Sequence, residues 1–209
     1  MTELSLSELA GSIASSTPTL GRSRLVCIDG PAGSGKTTLA GQLRDALQKG
    51  SDWHVQVLHM DDFYRGWTGL NDEVTGRIEA QVLAPLRQRS PGRYQRYDWE
   101  RVAFTEWHDV PVGPAVILEG VGAGAISFAD STTLLVWVEA PAEVRLARGV
   151  SRDGEPLREE WVRWMRLEAA FAATNRTRER ADILLDAASD RPAAAGQVRI
   201  LDATPKGPR

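Results

Sequence analysis

Apolar positions along this chain recur in two spacings that alternate with one another. Short apolar runs, typical of buried parallel strands, cover 24–29, 53–60, 115–118 and 134–138, and 183–185 and 198–201 offer a last strand or two. Helical spacing falls between these runs at 4–13, 36–48, 72–88 and 141–148, and again in a long stretch that ends near 174. The polar and aromatic stretch 92–108 is predicted to be extended. Alternating strands and helices indicate an α/β domain, with a mainly parallel sheet covered by helices on both faces.

The length fits a single domain, since 209 residues can bury a core without help from disulfides. We expect an N-terminal helix and linker over about 1–22 and a loose tail over about 204–209. A charged loop is predicted around 151–155, and a lid over about 149–155 in which Gly149 and Gly154 flank Arg152 and Asp153. The lone Cys27 excludes an internal disulfide, and the longest apolar runs are too short for a membrane span. The acidic N-terminus does not resemble a signal peptide, so a cytoplasmic protein is predicted.

Charge changes the picture little. The chain carries 25 basic and 28 acidic residues, for a net charge of −3, which argues against a nucleic-acid-coating role. We expect neither a nucleic-acid nor a membrane partner. Nearly all of the positive charge is arginine, so Lys36 stands out at a chemically demanding position.

One glycine-rich segment follows the first predicted strand and opens a helix. It runs through Gly30, Pro31, Ala32, Gly33, Ser34, Gly35, Lys36 and Thr37, fits G-x-x-x-x-G-K-[ST], and continues into Thr38. Glycines let the backbone amides wrap a phosphate, and the helix turns its positive end to the same anion. Lys36 is predicted to reach the β- and γ-phosphates of ATP, and the Thr37 hydroxyl to bind Mg²⁺.

A phosphate loop leaves several classes of protein open. A guanine-selecting N-K-x-D is absent because the only lysines after Lys36 are Lys49 and Lys206. The third main strand ends in a lone acid, Glu119, whereas motor ATPases usually place Asp-Glu there. A small-molecule kinase is favoured, and a nucleotide-binding ATPase or regulatory protein without an acceptor remains the alternative.

Two carboxylates, Asp61 and Asp62, end the second main strand at the edge of the sheet where ligands bind. A hydroxyl acceptor needs a carboxylate to orient it and take its proton. A nucleoside-monophosphate kinase, the other alternative, would want arginines there because its acceptor is a phosphate. A solvated turn that caps a helix is the structural interpretation of the same pair.

The chain resembles the uridine kinase and phosphoribulokinase-like group of P-loop kinases from about 25 to 186. The similar segments, in the family's order, are IDGPAGSGKTT (28–38), MDDFYR (60–65), YDW (97–99), ILEG (117–120), RLARGVSRD (145–153) and RADI (180–183). The resemblance implies a three-layer P-loop fold with a five-stranded sheet in the order 2-3-1-4-5. It implies ATP and Mg²⁺ as cofactors and a small hydroxyl compound, most plausibly a nucleoside, as acceptor.

Specific roles follow from the same resemblance. Asp61 is implied to be the general base, Glu119 to arrange Mg²⁺ or its waters with Asp62 as a neighbour, and Arg148 and Arg152 to form a catalytic lid beside Lys36. Tyr64 and Tyr97 belong to the acceptor motifs. Two departures put uridine itself in doubt: Val102 stands where uridine kinases carry a base-contacting histidine, and 66–70 replaces their acidic acceptor stretch.

Aromatic residues beside these motifs are candidates for acceptor binding. Trp67 and Trp99 could stack on a planar acceptor such as a base, or simply wall the cleft. The three histidines show no metal-binding spacing and receive no predicted role.

Overall fold

The computed structural model describes residues 2–187 and 197–203, which form an α/β fold. The strands are β1 (Thr2–Ser5), β2 (Arg24–Asp29), β3 (Val55–His59), β4 (Gly92–Asp98), β5 (Ala103–Val110), β6 (Ala115–Glu119), β7 (Thr132–Glu139), β8 (Ile183–Asp186) and β9 (Gln197–Ala203). The α-helices are α1 (Leu6–Ser15), α2 (Lys36–Gln48), α3 (Asp72–Ile78), α4 (Ala84–Arg87), α5 (Ala142–Asp153), α6 (Arg158–Asn175) and α7 (Thr177–Arg180).

The central sheet has the strand order β1-β9-β8-β7-β2-β6-β3 in the described part of the chain. Its parallel part is β3-β6-β2-β7-β8, which is the predicted order 2-3-1-4-5. The predicted count of five strands is wrong for the whole sheet, because β9 and β1 extend it antiparallel beyond β8. The N-terminal segment therefore begins with a strand, which the apolar spacing alone did not indicate.

Two hydrophobic cores lie on opposite faces of this sheet. On β2, Val26 and Ile28 pack with residues of α1 and α2, whereas Leu25 and Cys27 pack on the other face with residues of α3, α4 and α6. A strand that is buried on both faces needs an unbroken apolar run, which explains why 24–29 carries no polar alternation.

The segment 72–88 is predicted as one helix and is helical in three joined pieces. A π-helical stretch, Glu79–Leu83, separates α3 from α4, and its Val82 and Leu83 are buried. The polar stretch that follows is extended, as predicted, and forms an antiparallel hairpin of β4 and β5 outside the main sheet.

The predicted lid segment is more regular than expected. Helix α5 continues to Asp153, so 149–153 form its last turn rather than a loop. Gly149 is buried inside this helix, where an added Cβ would lie 2.4 Å from the Trp161 ring, so it serves close packing of α5 on α6. Gly154, with φ 96°, ends the helix. The predicted tail at 204–209 lies outside the described residues.

Within 2–187 and 197–203, no helix is both long and apolar enough to cross a membrane.

Candidate active site

The phosphate loop between β2 and α2 depends on glycine backbone geometry. Gly30, Gly33 and Gly35 have φ values of 143°, 78° and 97°, a region that favours glycine. A Cβ on Gly30 would lie 2.0 Å from the Val138 carbonyl oxygen, so this position also needs glycine for space. No side chain caps the N-terminus of α2 at Gly35, which leaves the first backbone amides of the helix available to an anion.

Lys36 lies at the start of α2 and is buried. Its Nζ donates to the Pro31 carbonyl oxygen at 2.9 Å, across the loop. Burial lowers the pKa of Lys36, and the nearby Asp29 and Glu119 carboxylates oppose that shift. The ammonium group is therefore held at the loop among negative charges.

Glu168 of α6 fixes the same loop from outside. Its carboxylate accepts from the Ala32 amide at 2.8 Å and from Arg145 Nη1 of α5 at 2.7 Å. Glu168 is 2% exposed, and burial raises its pKa against the opposing effect of these partners. Helices α5 and α6, which flank the predicted lid, are thus both hydrogen-bonded through Glu168 at the phosphate loop.

Asp29, the last residue of β2, connects the loop to the chain after β6. Its carboxylate accepts from the amides of Gly30, Gly122 and Gly124 at 2.6, 2.9 and 2.8 Å. Burial raises the Asp29 pKa, and these hydrogen bonds oppose the increase. The bonds position the turn that follows Glu119.

Glu119 at the end of β6 makes polar contacts with Thr37 of α2 and His59 of β3. Its Oε1 accepts from Thr37 Oγ1 at 2.9 Å and lies 2.6 Å from His59 Nδ1. The hydrogen bond to Glu119 raises the His59 pKa. Among the described residues there is no group of three or more His, Cys, Asp or Glu side chains arranged to hold a metal. Thr37 and Glu119 suit Mg²⁺, which usually takes one or two protein oxygens and completes its shell with phosphate oxygens and water.

The two adjacent aspartates after β3 point to different places. Asp61 lines the cavity described below, and burial together with the Glu119 charge raises its pKa. Asp62 does not line that cavity; its Oδ2 accepts from Tyr94 Oη of β4 at 3.0 Å. The turn thus sends one carboxylate toward the phosphate loop and the other into the hairpin.

A single open cavity of about 1300 Å³ joins the phosphate loop to the Asp61 turn. One end is lined by the loop from Ala32 to Thr38 and by Glu119. The other end is lined by Asp61, Tyr64, Trp67, Trp99, Glu100, Leu157, Trp161 and Trp164. Trp67 lies edge-on to Trp99, Trp161 and Trp164, with ring centroids 5.7 to 6.3 Å apart. The end at the Asp61 turn is therefore aromatic, and the other end is formed by the phosphate loop and Glu119.

Both predicted lid arginines line the cavity, and both have local partners. Arg148 Nη1 donates to the Gly33 carbonyl oxygen at 3.0 Å. Arg152 pairs with Asp153 at 2.7 Å and lies over the Trp161 ring, 5.5 Å from its centroid. Arg148 is thus at the phosphate loop, while Arg152 lies against the aromatic end.

The structure brings most of the predicted site residues together. Lys36, Thr37, Thr38, Asp61, Tyr64, Trp67, Trp99, Glu119, Arg148 and Arg152 all line the cavity. Gly30, Pro31, Asp62 and Tyr97 do not line it; Tyr97 is buried against Trp99 and Phe104. Tyr64 is fully buried, and its hydroxyl donates to the Val121 carbonyl oxygen.

Sequence reasoning missed five residues at or behind the cavity. These are Asp29, His59, Trp161, Trp164 and Glu168. Asp29 and His59 each end a strand at the ligand edge of the sheet, so strand-end position was a usable signal for them. Glu168 gave no comparable signal, because a glutamate in a charged helix is ordinarily exposed.

Comparison with known proteins supports the fold. No protein-family model and no curated protein matches the sequence. A solved structure described as a possible uridine kinase from Bacillus stearothermophilus is 21% identical, with a TM-score of 0.64 over 86% of this chain and 96% of that one. A candidate fructose transport system kinase from Silicibacter sp. is 22% identical, with a TM-score of 0.55 over 85% of this chain and 95% of that one. The chain therefore shares its fold, over most of its length, with solved structures described as kinases.

Proposed function

We propose that this protein transfers a phosphoryl group from ATP, with Mg²⁺, to a hydroxyl group of a small molecule. The observation that carries the proposal is the shared cavity: the Asp61 carboxylate and the phosphate loop with Lys36 line the same space. An ATP-binding protein without an acceptor has no need for a buried carboxylate at that place. A phosphate acceptor would be repelled by it.

Two structural observations, besides the sequence motif, support ATP binding at the phosphate loop. The Ser34 hydroxyl is buried and has no hydrogen-bond partner among the described residues. A Cβ on Gly33 would lie 2.8 Å from the Arg145 carbonyl oxygen, so side chains are kept out of the loop. When bound, Mg²⁺ neutralises charge on the phosphoryl oxygens, and Thr37 and Glu119 are the residues to hold it or its waters.

Asp61 is assigned the role of general base. Its carboxylate accepts the proton of the acceptor hydroxyl as that oxygen bonds to phosphorus. A base works best when its pKa lies near the working pH, and burial raises the Asp61 pKa in that direction. Lys36, Arg148 and Arg152 supply positive charge around the transferring group.

The segment 149–155 is proposed as the lid. Arg152 is exposed, pairs with the adjacent Asp153 and lies over the Trp161 ring. Gly154, close to it in sequence, permits a change of backbone direction. Closure would bring the guanidinium toward the phosphates and exclude water that wastes ATP.

A nucleoside is the acceptor class that we propose first. Trp67 and Trp99 offer indole surfaces beside Asp61, and a flat base can stack on them. Val102 is 72% exposed at the hairpin tip and does not line the cavity, so a histidine-like contact to the base is not made from that position. A cytoplasmic location accords with this activity and stays a proposal.

An acceptor screen tests the function. Purified protein with MgATP is offered nucleosides, sugars and hydroxy acids separately, and ADP release is followed. We expect release to rise several-fold above the acceptor-free rate with a hydroxyl compound, and Asp61→Asn to abolish the increase. Release that no acceptor stimulates would favour the ATPase or regulatory alternative. Stimulation by nucleoside monophosphates alone would favour the other kinase class.

A further inference from the structure

The hairpin of β4 and β5 contacts the Asp61 turn at two separate points. From strand β4, the Tyr94 hydroxyl donates to Asp62 Oδ2 at 3.0 Å. From the hairpin tip, Trp99 Nε1 donates to the backbone carbonyl oxygen of Asp61, also at 3.0 Å. One bond thus holds the side chain next to the base, and the other holds the backbone of the base itself.

Ring packing adds to these two bonds. Tyr94 lies between Phe63 and His108, with ring centroids 4.5 Å and 5.4 Å away and the rings nearly parallel. Phe63 directly follows the Asp61-Asp62 turn, and its amide closes the turn by donating to the Met60 carbonyl oxygen at 2.9 Å. His108 belongs to β5, so both strands of the hairpin contribute to the contact.

The hairpin is fixed at its base and at its tip. At the base, an added Cβ on Gly92 would lie 2.9 Å from the Gln81 carbonyl oxygen, so β4 packs closely on the π-helical stretch. At the tip, Asp98 Oδ1 accepts from the amides of Glu100 and Arg101, each at 2.9 Å. Val102 has φ 54°, a conformation that costs a β-branched residue energy and persists only where neighbours enforce it.

We propose that this hairpin positions Asp61, with Tyr94 and Trp99 as the positioning residues and with Asp62 as the anchor of Tyr94 rather than a metal ligand. Asp61 keeps its orientation because its backbone and its neighbour are held by the same rigid element. The hairpin tip also lines the acceptor end of the cavity through Trp99 and Glu100. A molecule bound there contacts Trp99, which is hydrogen-bonded to the backbone of Asp61. Binding of the acceptor and the position of Asp61 are therefore coupled. The importance of Asp61 rests on the proposed function; the mechanical link does not.

Hydrogen exchange tests the link without an acceptor. Trp99→Phe removes the indole donor and keeps an aromatic ring, and Trp107→Phe is the matched control on the outer face of the same hairpin. Trp107 is 48% exposed and contacts Arg93 rather than the turn. Losing one hydrogen bond should speed amide exchange in 60–65 about fivefold in Trp99→Phe and leave it unchanged in the control. Equal exchange in the two variants would overturn the proposal.

A second set of variants separates positioning from metal binding at Asp62. Tyr94→Phe and Asp62→Ala should each lower ATP turnover about fivefold without changing the ATP concentration for half-maximal rate. Asp62→Asn keeps an oxygen for Tyr94 and should lose less than Asp62→Ala. A metal ligand gives the opposite pattern: Asp62→Asn as damaging as Asp62→Ala, and Tyr94→Phe harmless. The acceptor screen on the wild type, measured separately, decides the proposed function and does not affect the exchange result.

Discussion

The two ends of the cavity are built in different ways. The proposed phosphate end comes from one continuous segment, 30–38, whose uncapped backbone amides and glycine geometry suit an anion. The proposed acceptor end is assembled from side chains of the Asp61 turn, the hairpin tip and helix α6, which are far apart in sequence. A site formed by the backbone of one continuous segment can be recognised from its sequence motif alone. A wall made of side chains from separate elements becomes visible only after folding, and it is the part that varies with the acceptor.

The largest expected effect separates chemistry from ATP binding. Asp61→Asn removes the proposed base at the acceptor end, so turnover should fall on the order of a hundredfold or more. MgATP affinity should change little, because the phosphate end is intact. Turnover and the MgATP thermal shift are measured together, with Asp109→Asn, an exposed aspartate of β5, as control. Near-normal turnover in Asp61→Asn would remove it as the base.

A buried ion pair supports the phosphate end. Glu168→Ala leaves the Arg145 guanidinium and the Ala32 amide without their partner, which should lower the free energy of unfolding by about 3 kcal/mol. Glu160→Ala is the matched control on the same helix, because Glu160 pairs with Arg163 at the surface. Denaturant unfolding measures both. Similar losses in the two variants would mean that the loop does not depend on Glu168.

A third prediction concerns stabilisation of the protein by MgATP at the phosphate end. MgATP at about a hundred times its dissociation constant should stabilise the wild type by roughly 2.7 kcal/mol. Lys36→Ala should lose most of this gain, whereas Lys49→Ala, at the other end of α2, should keep it. Thermal unfolding with and without MgATP provides the comparison. Equal shifts in wild type and Lys36→Ala would contradict the assignment of the loop.

A smaller effect on turnover is expected from Arg152, which lines the cavity against its aromatic end. Arg152→Ala should lower turnover about tenfold and ATP affinity less, because the guanidinium contact strengthens in the transition state. Arg152→Lys should restore only part, since an ammonium lacks the planar fork. Arg163→Ala on α6 is the control. If amide exchange over 149–155 is the same with and without a non-hydrolysable ATP analogue, the lid is not part of the mechanism.

The pH profile gives the smallest expected change. Asp61 must be deprotonated to accept a proton, so kcat/KM falls as the pH drops through its pKa. Burial raises that pKa, so the loss should begin above the range of an ordinary aspartate. Asp61→Asn should lack this acid limb. An acid limb that is the same in both proteins would assign it to another group.

Sequence patterns predicted the parts that rest on local rules. The parallel strands and helix α2 follow from apolar runs and the phosphate-loop pattern, most clearly for β2 and β6, which are buried on both faces. The order of the strands is implied by the family resemblance, not by the apolar runs. The apolar run 198–201 indicates a strand at β9, but it does not reveal the antiparallel pairing of β9 with β8 and with the edge strand β1. The charged residues near 149–155 predict a loop, because the sequence does not show the packing of Gly149 against Trp161.

The candidate site divides in the same way. Lys36, Thr37 and Asp61 could be named because each stands in a motif at a strand end. Glu168 and Ala32 are 136 residues apart in sequence, and only the approach of α6 to the loop brings them together. Asp61 and Asp62 look equivalent in sequence, whereas the turn directs Asp61 to the cavity and Asp62 to Tyr94.

The most direct test of the central claim is the chemical identity of the phosphorylated product. ³¹P NMR of a reaction with MgATP and the best acceptor from the screen distinguishes the bonds that can form. The account predicts a new phosphomonoester resonance that grows with the ADP signals and is absent with Asp61→Asn. Growth of inorganic phosphate alone, or of a new diphosphate linkage on the acceptor, would contradict phosphoryl transfer to a hydroxyl group.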